Sequence, residues 1–175
     1  MRELTLPMKA EDIEQLCAFD QILLTGKLYV GRDQVHQRLY DLISQGRSLP
    51  LDLHDQAIYY MGPSPAPEGK IIGSCGPTTS ARMDRFTPLL LDQGLKVMIG
   101  KGPRSSEVVA AIGRNKALYL QAYGGCGALY AATVKQVRTL AFPELGPEAL
   151  LEMQVEHFPV IVAIDSHLGS VFDRA

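Results

Sequence analysis

Lys70-Ile71-Ile72-Gly73-Ser74-Cys75-Gly76-Pro77-Thr78-Thr79-Ser80-Ala81-Arg82-Met83-Asp84 is the stretch from which the fold is read. Its apolar start predicts the end of a buried strand at Lys70–Gly73. Gly73, Gly76 and Pro77 then bend the chain, because glycine permits positive φ and proline fixes φ. Thr78, Thr79 and Ser80 offer hydroxyls that can cap a helix running through Met83, with Arg82 in its first turn. Backbone N–H groups and a guanidinium would then face one small volume. That combination suits a carboxylate, since the planar fork of arginine donates two parallel hydrogen bonds. The plainer reading is that the hydroxyls only cap and the arginine is only solvated.

Downstream, the same layout repeats. Lys96–Ile99 predicts a strand, ended by Gly100-Lys101-Gly102, with Ser105 and Ser106 capping a helix that carries Val108, Val109 and Ile112. Ala117–Gln121 predicts another strand, followed by the turn Gly124-Gly125-Cys126-Gly127 and a small-residue helix over 128–134. Strand, glycine-rich turn and helix in alternation argue for parallel α/β order from residue 70 onward. Upstream, Glu3–Leu6 reads as an edge strand. Ile22–Leu24 and Leu28–Val30 read as two strands around the turn Thr25-Gly26-Lys27. Asp33 is the expected N-cap of a helix with Val35, Leu39 and Leu42 on one stripe, which leaves Arg32 at a strand-to-helix junction. Ala57–Met61 predicts a strand, and Gly62–Pro67 a stiff surface connection. Val137–Phe142 reads as a strand, and 149–155 and 160–165 as two strands joined through Glu156–Pro159. Both ends therefore look antiparallel. Arg32, Arg82 and Lys101 are basic residues at three such junctions, and in open α/β sheets ligands collect where these junctions lie.

Composition narrows the function classes. The 175 residues suffice for one domain, 1–175, with its own core, and 46% hydrophobic with 21% charged residues is ordinary for a globular protein. A net charge of −2 carries no nucleic-acid or membrane footprint. No apolar run reaches the roughly 18 residues of a spanning helix, and the N-terminus lacks a signal-peptide layout, so a cytoplasmic location is expected. Cys17, Cys75 and Cys126 are widely spaced, and they form neither a CxxC nor a local metal pattern. They read as reduced thiols, most of them buried, and no metal site is expected within the chain.

Gly-Arg-Asp at 31–33 with His36 and Arg38, Gly73–Asp84, Met-Ile-Gly-Lys-Gly at 98–102 and Gly-Gly-Cys-Gly-Ala-Leu at 124–129 together resemble the β part of the iron–sulfur hydro-lyases. That family comprises class I fumarases and L(+)-tartrate dehydratases. The resemblance covers nearly the whole chain in order. It implies an α/β fold of the swivelling β/β/α type, a mixed sheet whose second half carries the parallel units. It also implies a β subunit working with a separate α subunit that holds a [4Fe–4S] cluster, one iron of which stays open to act as Lewis acid on the departing hydroxyl. Arg32, Arg82 and Lys101 match the family's substrate-binding residues, with Thr79 a further contact. Thr78 matches its candidate base, and the local reading of Thr78 as a helix cap stands beside that. His36 is expected to support Arg32 or the substrate, or to be structural. Asp84 is expected to pair with a motif arginine or to cap. Cys75 and Cys126 read as substitutions of small residues. The resemblance implies fumarate hydration to L-malate. The alternatives are a tartrate or mesaconate dehydratase subunit, a non-enzymatic carboxylate-binding domain, and an independent enzyme with Lys101 or Cys75 as nucleophile; apolar surface meant for the α partner makes a homodimer of the isolated chain a further expectation.

Overall fold

The computed structural model describes residues 1–173. The elements run β1 (Arg2–Leu6), α1 (Ala10–Glu14), β2 (Gln21–Val30), α2 (Asp33–Ser44), β3 (Ala57–Tyr59), a 3-10 helix (Ser80–Met83), α3 (Thr87–Asp92), β4 (Val97–Gly100), α4 (Ser106–Asn115), β5 (Leu118–Gln121), α5 (Gly127–Thr133), β6 (Val134–Ala141), 3-10 turns (Pro143–Glu148) and β7 (Leu150–Ile164). The strands form one mixed sheet in the order β1-β2-β3-β4-β5-β7-β6. Because β7 also pairs with β2, the run β2-β3-β4-β5-β7 closes into a small barrel.

Strand side chains alternate between two cores, as a pleated strand requires. Ala57, Tyr59, Val97, Ile99, Leu118 and Leu120 face the barrel interior with Phe158 and Tyr130. Ile58, Tyr60, Met98 and Tyr119 face the other way and meet α2, α3 and α4 through Val35, Leu90 and Ile112. With both faces covered, these strands read as the continuous apolar runs typical of parallel sheets.

Four expectations are corrected. First, the parallel run begins at β1, which pairs in parallel with β2, so the amino-terminal part is not antiparallel. Second, 21–30 is one ten-residue strand and not a hairpin. Gly26 lies at a register shift against β7, with φ +132 and the Leu6 carbonyl 2.6 Å from where a Cβ would sit. The glycine serves a bulge and a close strand approach rather than a turn. Third, 150–164 is one continuous strand, and His157 at φ +53 marks its irregular point. Fourth, Lys70–Gly73 is not a strand. That segment lies against the proline-rich connection, with the Ser74 N–H on Ser64 Oγ at 2.7 Å and the Ser64 N–H on the Ser74 carbonyl at 3.2 Å. The strand that feeds the Gly-Pro-Thr-Thr loop is β3.

Candidate active site

Strands β2 to β5 are parallel, so the segments that leave their carboxyl ends share one edge of the barrel. Gly31-Arg32-Asp33 leaves β2, the long loop to Asp84 leaves β3, Lys101-Gly102 leaves β4 and the Gly124–Gly127 turn leaves β5. Backbone hydrogen bonds tie these segments together. The Thr78 N–H donates to the Tyr60 carbonyl at 2.7 Å, and the Ser80 N–H donates to the Lys101 carbonyl at 2.9 Å. Thr79 and Lys101 form a parallel bridge. The Cys75 N–H reaches the Gly127 carbonyl at 3.1 Å, which links the loop to the last turn.

The three basic residues stand on segments that this frame joins. Arg82 is ion-paired with Asp33, the neighbour of Arg32 in sequence. Arg32 is ion-paired with Glu148, which also accepts from Gln34 Nε2 at 2.7 Å. Gly62 lets the Arg32 guanidinium lie flat on the backbone, since a Cβ there would come within 2.7 Å of Cζ and Nε. Arg32 Nε and Asp33 Oδ1 are buried without a partner. Leaving a buried donor unpaired costs about 1–3 kcal/mol, so an acceptor on Nε would be stabilising. Among the described residues, no protein group bonds the Thr78 or Thr79 hydroxyl or the Lys101 ammonium. Arg82, with a side chain 54% exposed, and Thr79 make this an open face. A groove of about 360 Å³ between Pro63–Ala66, Ile71–Gly73 and Val137–Thr139 is lined by none of Arg32, Arg82 and Lys101.

The helper residues are arranged differently from the sequence reading. Asp33 is not an N-cap. It stands inside the first turn of α2, and its carboxylate serves Arg82. The Thr78–Ser80 hydroxyls do not cap the short helix either, because Thr79 holds the cap position without a side-chain bond. Asp84 pairs with Arg104 at 2.7 Å rather than with the motif arginine, and its other oxygen accepts from the Ser105 N–H at 2.8 Å. His36 is buried, and its Nδ1–H donates to the Arg32 carbonyl at 2.7 Å. Burial, opposed by that bond and aided by the Arg104 charge, brings its pKa down to about 4, so the ring is neutral at pH 7.

Sequence reasoning missed Arg104. Its side chain is wholly buried and donates to Asp84, to Thr87 Oγ1 at 2.9 Å and to Tyr60 Oη at 3.3 Å. It also lies 4.8 Å from the Tyr119 ring centroid. Burial works against the charge, but Tyr60, Asp84 and Tyr119 outweigh it and raise the pKa. A basic residue at a strand-to-helix junction was the available signal, the same one that marked Lys101.

The chain's own residues do not suit an iron–sulfur cluster. Among the described residues, no three or more Cys, His, Asp or Glu side chains come together as metal ligands. Cys17 is exposed, Cys126 half-buried and Cys75 buried, so only one thiol is fully enclosed. Burial pushes the Cys75 thiol up to about 11, and it donates to the Gly73 carbonyl at 3.3 Å, so it is held as a thiol and not as a ligating thiolate. Among the described residues, no helix is long and apolar enough to cross a membrane.

The chain is 38% identical to the anaerobic class I fumarate hydratase of Escherichia coli, over 98% of its own length and 32% of that protein. It is 36% identical to fumarate hydratase 2 of Leishmania major, over 94% of its length and 29% of that protein. It thus spans about a third of the fumarate hydratases it matches. With the L(+)-tartrate dehydratase subunit beta of E. coli it shares 38% identity over 94% of its own length and 83% of that chain. Residues 2–175 match the family described as the fumarase C-terminus, and to that family this chain belongs.

Proposed function

We propose that this chain is the substrate-binding β part of a [4Fe–4S]-dependent dicarboxylate hydro-lyase, a fumarate hydratase in the first instance. The observation that carries this reading is the set Arg32, Arg82, Lys101 and Thr78 on one barrel edge, with a buried Arg32 Nε still lacking an acceptor. Both arginines already hold an internal carboxylate, Glu148 and Asp33. Each guanidinium has five donors, so each is oriented by one acid while donors remain for another. Two guanidiniums and an ammonium suit the two ends of a C4 diacid.

The chemistry follows from the charge. In the dehydration direction, a C–H bond beside one carboxylate breaks, and its electron pair spreads into that carboxylate. Cations fixed around that end stabilise the doubly charged form more than the ground state, which is how they accelerate the reaction. Thr78 is the candidate base. A threonine hydroxyl needs a neighbour to take its own proton, and among the described residues no carboxylate or imidazole bonds it, so that group is assigned to the partner. The cluster is likewise assigned to the partner, a cluster-bearing α chain. Exposed Ile71 and Leu129 offer apolar surface for it. A single domain over 1–175, the swivelling β/β/α arrangement and a cytoplasmic setting belong to the same reading.

Close coverage of a tartrate dehydratase β subunit supports a second substrate, tartrate, for the same site. Reconstitution with the α chain, followed by turnover of fumarate, tartrate and mesaconate, tests both. Arg82→Ala should lower fumarate kcat/KM by roughly a thousandfold. Near-wild-type turnover in that variant would remove the role given to the loop.

A further inference from the structure

Beneath the open face, Lys101 and Gly102 are bound at every backbone polar group. The Lys101 N–H donates to Ser80 Oγ at 3.0 Å, and the Lys101 carbonyl accepts from the Ser80 N–H at 2.9 Å. The Gly102 N–H donates to Gln121 Oε1 at 3.3 Å, and the Gly102 carbonyl lies 2.7 Å from Tyr119 Oη. Tyr119 Oη is also 2.8 Å from Ser80 Oγ. Proton counting fixes the direction of these bonds. A carbonyl only accepts, so the phenol proton goes to Gly102. The proton between the two hydroxyls is therefore that of Ser80. The result is a one-way chain from the Lys101 N–H through Ser80 and Tyr119 to the Gly102 carbonyl. Ser80 and Tyr119 are both fully buried, and the space for the serine exists because a Cβ on Gly100 would collide with Ser80 Oγ. The buried Arg104 holds the phenol ring from behind through a cation–π contact.

We infer that Ser80 and Tyr119 are positioning residues that fix the backbone of Lys101 and thereby aim its ammonium at the carboxylate site, an inference that rests on the function proposed above. Neither side chain reaches the open face, so each acts through Lys101.

Two measurements test it. In the 175-residue chain, amide hydrogen exchange is compared for wild type, Ser80→Ala and Tyr119→Phe. The Lys101 amide should exchange about tenfold faster in Ser80→Ala, the loss expected for its one hydrogen bond, and severalfold faster in Tyr119→Phe, which removes the group that orients Ser80, while Val97–Ile99 keep their protection. Unchanged exchange at Lys101, or equal acceleration along β4, would overturn the proposal. In the reconstituted enzyme, Tyr119→Phe should lower kcat/KM for the diacid about tenfold, and should change it less than twofold when added to Lys101→Ala. Equal effects in the two backgrounds would overturn it. If the wild-type complex turns over no diacid, the proposed function fails, and the exchange measurement still judges whether Ser80 and Tyr119 fix the Lys101 backbone.

Discussion

His36 carries a testable consequence of being buried. Its ring packs 5.2 Å from Tyr60 and 6.3 Å from Phe86, and its Nδ1–H is held by the Arg32 carbonyl. The folded pKa of about 4 lies below the ordinary 6.5, so between those values the unfolded chain binds a proton that the folded chain does not. Stability from this group is complete above pH 6.5 and is lost as pH falls towards 4, by roughly 3 kcal/mol in all. Urea unfolding across that window should show a steeper fall for wild type than for His36→Asn. Parallel curves would mean the ring protonates in place. Arg104 makes a second case. Arg104→Met leaves the Asp84 carboxylate half of a broken buried pair and should cost about 3–5 kcal/mol by urea unfolding. Arg104→Lys should recover little, because an ammonium cannot bond Asp84, Thr87 and Tyr60 together. At this scale the sequence showed which residue types sit at junctions, but not which way they turn. Lys101 and Arg104 flank one turn and read alike, yet one faces the open edge and the other the core.

The elements that sequence reading divided were divided for one reason. Thr25-Gly26-Lys27 and Glu156–Pro159 both look like turns, and they lie opposite each other in the β2–β7 ladder. Gly26 pairs with Val155 across a register shift, and the His157 N–H donates to Thr25 Oγ1 at 3.1 Å. A bulge uses the same residues as a turn, and only the partner strand tells them apart. The helices were more legible. The stripe of α2 and the Ser105 cap, which accepts from the Val108 N–H at 3.3 Å, are local features that need no partner. The bulge predicts that Gly26→Ala drives a Cβ into the Leu6 carbonyl and strains a φ that alanine avoids. A cost of roughly 1–3 kcal/mol is expected, with faster amide exchange in β1 before β4. Loss of protection in both strands together would show that β1 is not a separable edge.

At the scale of the whole molecule, the barrel supports the edge that carries the proposed site from inside. Phe158 on β7 packs 5.1 Å from Tyr59 on β3 and 4.5 Å from Tyr130 on α5. Each tyrosine then reaches a site loop. Tyr59 Oη donates to the Cys75 carbonyl at 2.6 Å, while Tyr130 Oη accepts from the Tyr123 N–H and donates to the Pro159 carbonyl, both at 2.8 Å. A single ring on the closing strand thus props the loop after β3 and the turn after β5. Removing it by Phe158→Ala should cost about 3–5 kcal/mol, the range for a buried phenylalanine. The native thiols provide the readout. Cys75 is buried with its pKa raised to about 11, so alkylation there waits for opening, whereas Cys17 is exposed and reacts in the closed form. If the ring supports the loop locally, Phe158→Ala should speed Cys75 alkylation far more than its loss of global stability accounts for, with Cys17 unchanged. If Cys75 opens only with the whole barrel, its rate should rise by the equilibrium factor for unfolding and no further. The ratio of the two rates therefore measures how much of the site's rigidity comes from the barrel's own closure.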